Sequence, residues 1–105
     1  MAQLPAGAVT LLFTDIEGST QLLRRLGDGY ARVLDDHHRL LRAAFAAYDG
    51  HEVGTQGDSF VVVFRRPLDA ILAAVQAQQT LASHPWLEGG AVRVRMGLHT
   101  GSPLL

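Results

Sequence analysis

The hydrophobic pattern changes period several times along the chain, and each change predicts an element. Residues Ala8 to Phe13 (AVTLLF) form a compact apolar run rich in strand formers, which predicts a buried strand. The run ends at Thr14-Asp15-Ile16-Glu17-Gly18, and Ser19 or Thr20 is positioned to cap a short helix through Leu26. Gly27-Asp28-Gly29 breaks that helix. From Tyr30, apolar residues at Val33, Leu34, Leu40, Leu41, Ala44, Phe45 and Tyr48 recur at helical spacing, with Arg32, Asp35, Asp36, Arg39 and Arg42 on other faces. Asp49-Gly50 supplies the stop.

A short strand at His51 to Thr55, a turn at Gln56-Gly57-Asp58 and the run Ser59 to Phe64 then predict a β-hairpin. Pro67 suits the first position of another helix. Leu68, Ile71, Leu72, Val75, Gln79 and Ala82 lie along one side of it, and His84-Pro85 ends it. After a Gly89-Gly90 loop, Val92-Arg93-Val94-Arg95-Met96 alternates as a half-exposed strand does. The order β-α-α-β-β-α-β predicts an α+β fold. Apart from the split first helix it is a ferredoxin-like palm, an antiparallel sheet with helices on one face and the first and third strands at its centre.

That topology carries a chemical consequence. Asp15 falls just past the first strand and Asp58 falls in the hairpin turn. Antiparallel pairing of the first and third strands makes those two places neighbours. Paired carboxylates repel, so such a site shifts a pKa or recruits a cation. Hard divalent ions such as Mg²⁺ bind through one or two carboxylates plus substrate phosphates. The loop from Asp15 to Thr20 leads into a helix N-terminus whose free N–H groups suit phosphate oxygens. By spacing alone, ordinary turn chemistry is the commoner reason for an Asp beside a Gly.

Composition narrows the alternatives. With 105 residues, 48% hydrophobic and 18% charged, the chain suits one domain with a core. All nine fixed cations are Arg, and against ten acidic residues they leave a net charge of −1. That balance argues against nucleic acid or an anionic membrane as partner. The absence of Cys excludes disulfides, thiolate metal sites and Cys nucleophiles, and fits a cytoplasmic location. The N-terminus lacks a basic segment, so no signal peptide is expected, and no apolar run approaches the ~20 residues of a membrane helix. His37 and His38 are expected to point to different sides of their helix. His51-Glu52 lacks the second His of a helical zinc motif. Arg65-Arg66 and Arg93/Arg95 read as solvated arginines at strand ends and on an exposed sheet face.

Three segments together are more specific. Phe13-Thr14-Asp15-Ile16-Glu17-Gly18-Ser19-Thr20, Gly57-Asp58-Ser59-Phe60 and Val94-Arg95-Met96-Gly97-Leu98-His99-Thr100-Gly101 resemble, in order, three motifs of the class III nucleotide cyclases. The resemblance covers residues 8 to 103 and agrees with the palm. It implies that the 3′-hydroxyl of ATP or GTP attacks its own α-phosphate and expels pyrophosphate. Asp15 and Asp58 would hold two Mg²⁺ or Mn²⁺ ions, assisted by the Ile16 carbonyl, and backbone groups around Gly18, Ser19 and Thr20 would meet the phosphates. No side chain need act as sole base.

The resemblance also implies two departures. A Lys common in adenylate cyclases of the family aligns with Gly54, which has no side chain to read a purine edge. Family domains also continue past the His-Thr-Gly motif into residues, including an Asn and an Arg, that act across a head-to-tail dimer; this chain reads as a single truncated domain ending before them. Loss of such donors costs about 10²–10³-fold in rate each, so weak or no turnover is expected from the chain alone. A homodimer would supply metal halves only, whereas a heterodimer with a cyclase homologue would complete the site. The alternative class is a non-catalytic, degenerate cyclase module that binds nucleotide or a signalling partner.

Overall fold

The computed structural model describes residues 7–87 and 91–102. Strand β1 spans Val9–Ile16, helix α1 Ser19–Leu26 and helix α2 Tyr30–Ala47, with a single 3-10 turn at Gly27–Gly29 between the helices. Strands β2 (His51–Gln56) and β3 (Ser59–Phe64) form the hairpin, followed by helix α3 (Pro67–Ser83) and strand β4 (Val94–Gly101). The four strands make one antiparallel sheet in the order β2-β3-β1-β4, with β3 and β1 central as expected. The Gly89-Gly90 loop lies outside the described residues.

Alternation along β1 fixes which face is covered. Leu12, Thr14 and Ile16 point into the core, whereas Phe13 is exposed and Asp15 half-buried on the open face. From β3, Phe60, Val62 and Phe64 join the core, where Val33, Leu41, Ala44 and Phe45 of α2 meet them. Phe45 sets its ring edge-on to both Phe60 and Phe64. Each such side chain contributes roughly 1.5–3 kcal/mol by leaving water. Gly50, at the α2–β2 turn, is fixed by packing: a Cβ there would lie 2.7 Å from the Phe64 ring.

Four local expectations are corrected. First, β1 continues through Thr14, Asp15 and Ile16, because β4 offers them Met96, Arg95 and Val94 as partners. Asp15 is therefore a strand residue, not a loop residue. Second, β4 begins at Val94 and runs on to Gly101, since Gly97 to Gly101 pair with Val9 to Phe13. Third, neither Ser19 nor Thr20 caps α1; Gly18 takes that place at φ 66, a left-handed conformation suited to glycine.

The fourth concerns α3. Its buried face is Ala70, Ala73, Ala77 and Leu81, while Leu68, Ile71, Leu72 and Val75 are exposed. Both sides of this helix are apolar, so periodicity alone does not identify the inner one. The small Ala residues seat it against α2 and the sheet. No helix among the described residues is long and apolar enough to cross a membrane.

Candidate active site

Asp15 and Asp58 come together at one end of the central strand pair. Asp58 is the second residue of a two-residue turn, Gly57-Asp58, closed by the pair Gln56 and Ser59. Its Oδ2 accepts a hydrogen bond from the backbone N–H of Ile16 at 2.9 Å, fastening the turn to the end of β1. Asp15 faces the other way along the strand pair, toward β4. Its two carboxylate oxygens accept Nε–H and Nη2–H of Arg95, each at 2.9 Å. The two residues are direct cross-strand partners, so register presents the guanidinium fork to the carboxylate. The pair raises the Arg95 pKa above its ordinary value, with further help from the charges of Glu17 and Asp58.

The turn after β1 completes the arrangement. The N–H of Glu17 donates to the Arg93 carbonyl at 2.8 Å, and Gly18 then turns the chain into α1. No side chain caps this helix, so its first N–H groups have no side-chain acceptor. Asp15, Ile16, Gly18, Ser19, Thr20 and Asp58 all line one open hollow of about 400 Å³, together with Gln21, Ser59 and Arg95. Six of the seven positions singled out from the sequence are therefore brought together.

Gly54 stands apart from that hollow. It lies on edge strand β2, opposite Val61 and next to a bulge. A Cβ there would meet only Val61, at 3.9 Å, so packing does not require glycine. Val61 lines a second hollow of about 440 Å³ on the open sheet face, shared with Phe13, Asp15, Arg95 and Gly97.

Behind the Asp58 turn sits an unexpected aromatic cluster. His37 and His38 do not diverge: both rings approach Phe60, at 5.8 and 5.4 Å between centroids. The His38 Nε2–H donates to the Gly57 carbonyl at 2.7 Å, since that oxygen can only accept. Arg42 lies over the same Phe60 ring at 5.4 Å and forms a double hydrogen bond with Glu52 at 2.9 and 3.1 Å. His37 is wholly buried, and neither ring nitrogen finds a partner among the described residues. Burial, reinforced by the neighbouring His38, pushes its pKa down to about 4, against a smaller opposing pull from Asp58. On the same side, Tyr30 has its hydroxyl pKa raised by burial and then by the charge of Asp58.

Sequence reasoning missed Arg95, His37 and His38 as site neighbours. For His37 the signal was available, because Val33, His37 and Leu41 share one helical stripe. Arg95 required the β1–β4 register, which no local pattern contains.

The donor set suits a hard cation. Two carboxylates face the hollow, and among the described residues no cluster of three or more His, Cys, Asp or Glu residues is placed to hold a metal. Two protein carboxylates, with the remaining positions left to phosphate and water, are what Mg²⁺ or Mn²⁺ accepts; tetrahedral zinc would need more from the protein.

Fold and site together define a palm with a carboxylate pair beside the turn that leads from β1 into α1. The model for the adenylate and guanylate cyclase catalytic domain matches residues 1–105, and the chain belongs to that family. It is 44% identical over 78 residues to a receptor-type adenylate cyclase of Trypanosoma congolense, covering 74% of this chain and 10% of that protein. Among solved structures, adenylate cyclases of Trypanosoma brucei in their monomeric state superpose with a TM-score of 0.87 at 30% identity, covering 96% of this chain and 59% of theirs. The guanylate cyclase domain of a Catenaria anguillulae rhodopsin–cyclase, in complex with GTP, shares the fold at a TM-score of 0.81 and 21% identity, over 90% of this chain and 57% of that one. The chain thus spans about three-fifths of the matched structures and a tenth of the curated relative.

Proposed function

We propose that this chain is the metal- and triphosphate-binding portion of a nucleotide cyclase domain, acting on ATP or GTP to give the cyclic 3′,5′-monophosphate and pyrophosphate. The observation that carries the reading is the shared hollow: Asp58 lines one opening with Asp15 and the Gly18–Thr20 segment though it is far from them in sequence. Asp15, Asp58 and the Ile16 carbonyl are the groups to hold two Mg²⁺ or Mn²⁺ ions. Bound there, the ions supply acidification of the ribose 3′-hydroxyl and neutralisation of the triphosphate. The free N–H groups from Ser19 onward orient phosphate oxygens. Ile16, buried at the end of β1, holds the Asp58 carboxylate through its own N–H, leaving the other oxygen for the ions. Gly54 leaves the base-reading position without a side chain.

The reading includes a second subunit, a cyclase homologue, that supplies the groups acting on the ribose and the developing charge; a second copy of this chain would repeat the metal half only. The test mixes this chain with an intact cyclase homologue whose own two metal-binding Asp residues are replaced, and measures cAMP and cGMP formation with Mn²⁺. The chain alone is expected to give little or no product. The mixture is expected to turn over, and to lose that activity by at least about 10²-fold with Asp15→Ala or Asp58→Ala in this chain. Association without turnover would favour a binding module instead, and turnover indifferent to Asp15→Ala would defeat the reading.

A further inference from the structure

The two carboxylates differ in what already holds them. Asp58 accepts from a neutral backbone N–H, at Ile16, and forms no ion pair among the described residues. Asp15 is bound through both oxygens by a guanidinium. An Arg cannot shed its proton to make way, and a divalent cation at Asp15 would sit against a fixed positive charge. We propose that Arg95 is a latch on Asp15, so that loading metal there and releasing the guanidinium are a single event. This rests on the reading of Asp15 as a metal ligand and adds to it a residue that sets how readily the metal enters.

Three features suit Arg95 to that role. Cross-strand pairing of Asp15 with Arg95 keeps the fork opposite the carboxylate, so the latch closes again when metal leaves. Both side chains are substantially exposed, at 65% for Arg95 and 40% for Asp15, so it opens without disturbing the core. There is also somewhere to go. Arg95 borders the open-face hollow as well as the acidic one, and at its neighbour Gly97 a Cβ would find nothing within 4 Å. The pair is exposed and its strength modest, so the latch tunes affinity and does not forbid binding. Arg93, two residues earlier and likewise exposed, makes no hydrogen bond to Asp15 and provides the comparison.

The experiment is a Mn²⁺ titration of the nucleotide-free chain, followed by the EPR signal of free Mn²⁺. Arg95→Gln is expected to bind Mn²⁺ about 5- to 20-fold more tightly than the parent, combining loss of the ion pair with loss of a like charge. Arg95→Lys keeps the charge but lacks the fork, and is expected to fall between the two. Arg93→Gln is expected to stay within about 2-fold of the parent, being a charge removed without a latch. A second measurement uses the unaltered chain: the Arg95 Nε–H resonance is expected to exchange faster with water once Mg²⁺ saturates the site. Equal or weaker Mn²⁺ binding by Arg95→Gln, or an Arg95 Nε–H indifferent to saturating Mg²⁺, would overturn the latch while leaving the metal site intact. If neither the parent nor Arg95→Gln binds Mn²⁺ in a manner lost on Asp58→Asn, the metal reading itself fails and takes the latch with it.

Discussion

Asp15 and Asp58 reach the same hollow by opposite structural means. Asp15 stands on the open face of β1, placed by register against β4 and held by an exposed arginine. Asp58 stands at the tip of a turn whose next residue but one, Phe60, is a fully buried anchor beneath α2. One acid is positioned by surface partners that can be exchanged; the other is an outgrowth of the core. Disturbance of the interior should therefore reach Asp58 first, whereas changes of solution conditions should reach Asp15.

The largest expected effect breaks the Asp58 side. Phe60→Ala should cost about 3–5 kcal/mol in urea unfolding, while Phe13→Ala on the open face should cost less than about 1.5 kcal/mol. Comparable losses at both positions would erase the contrast.

Next comes acid. Buried His37 ionises near 4 in the folded chain, below its ordinary 6.5, so between those values the unfolded chain binds the extra proton. Stability should then be level above about pH 6.5 and fall by up to about 3 kcal/mol as the pH drops toward 4. His37→Leu should flatten that limb; an unchanged pH profile would place the titration elsewhere.

A smaller effect is expected at His38. Its bond to the Gly57 carbonyl steadies the turn, so His38→Ala should lose about 0.5–1.5 kcal/mol and weaken Mn²⁺ binding, with His38→Gln recovering part of both. The smallest is the stability cost of Arg95→Gln, which should leave the thermal midpoint nearly unchanged because that ion pair is solvated.

The division between legible and illegible features follows from how far each depends on remote partners. Strand β3 has the limits its apolar run indicates, and Pro67 begins α3 as its fixed φ favours. The Asp pair was legible because hairpin pairing and the palm order constrain it twice over. Where one residue's state depends on a distant strand, reading failed: Asp15 looked like loop because its β4 partners are eighty residues away. The inner face of α3 was hidden for another reason. Its outer Leu, Ile and Val residues are more apolar than the inner Ala, and only close helix–sheet approach favours the smaller set.

The Gly57-Asp58 turn leaves no spare length. One inserted residue at its tip would push the acid out along the hairpin axis, away from the Ile16 amide, and swing a different side chain into its place. Fluorophores, affinity tags and spacer residues therefore belong on the solvent side of α3. A library that varies the length of this corner should return folded proteins with the chemistry erased.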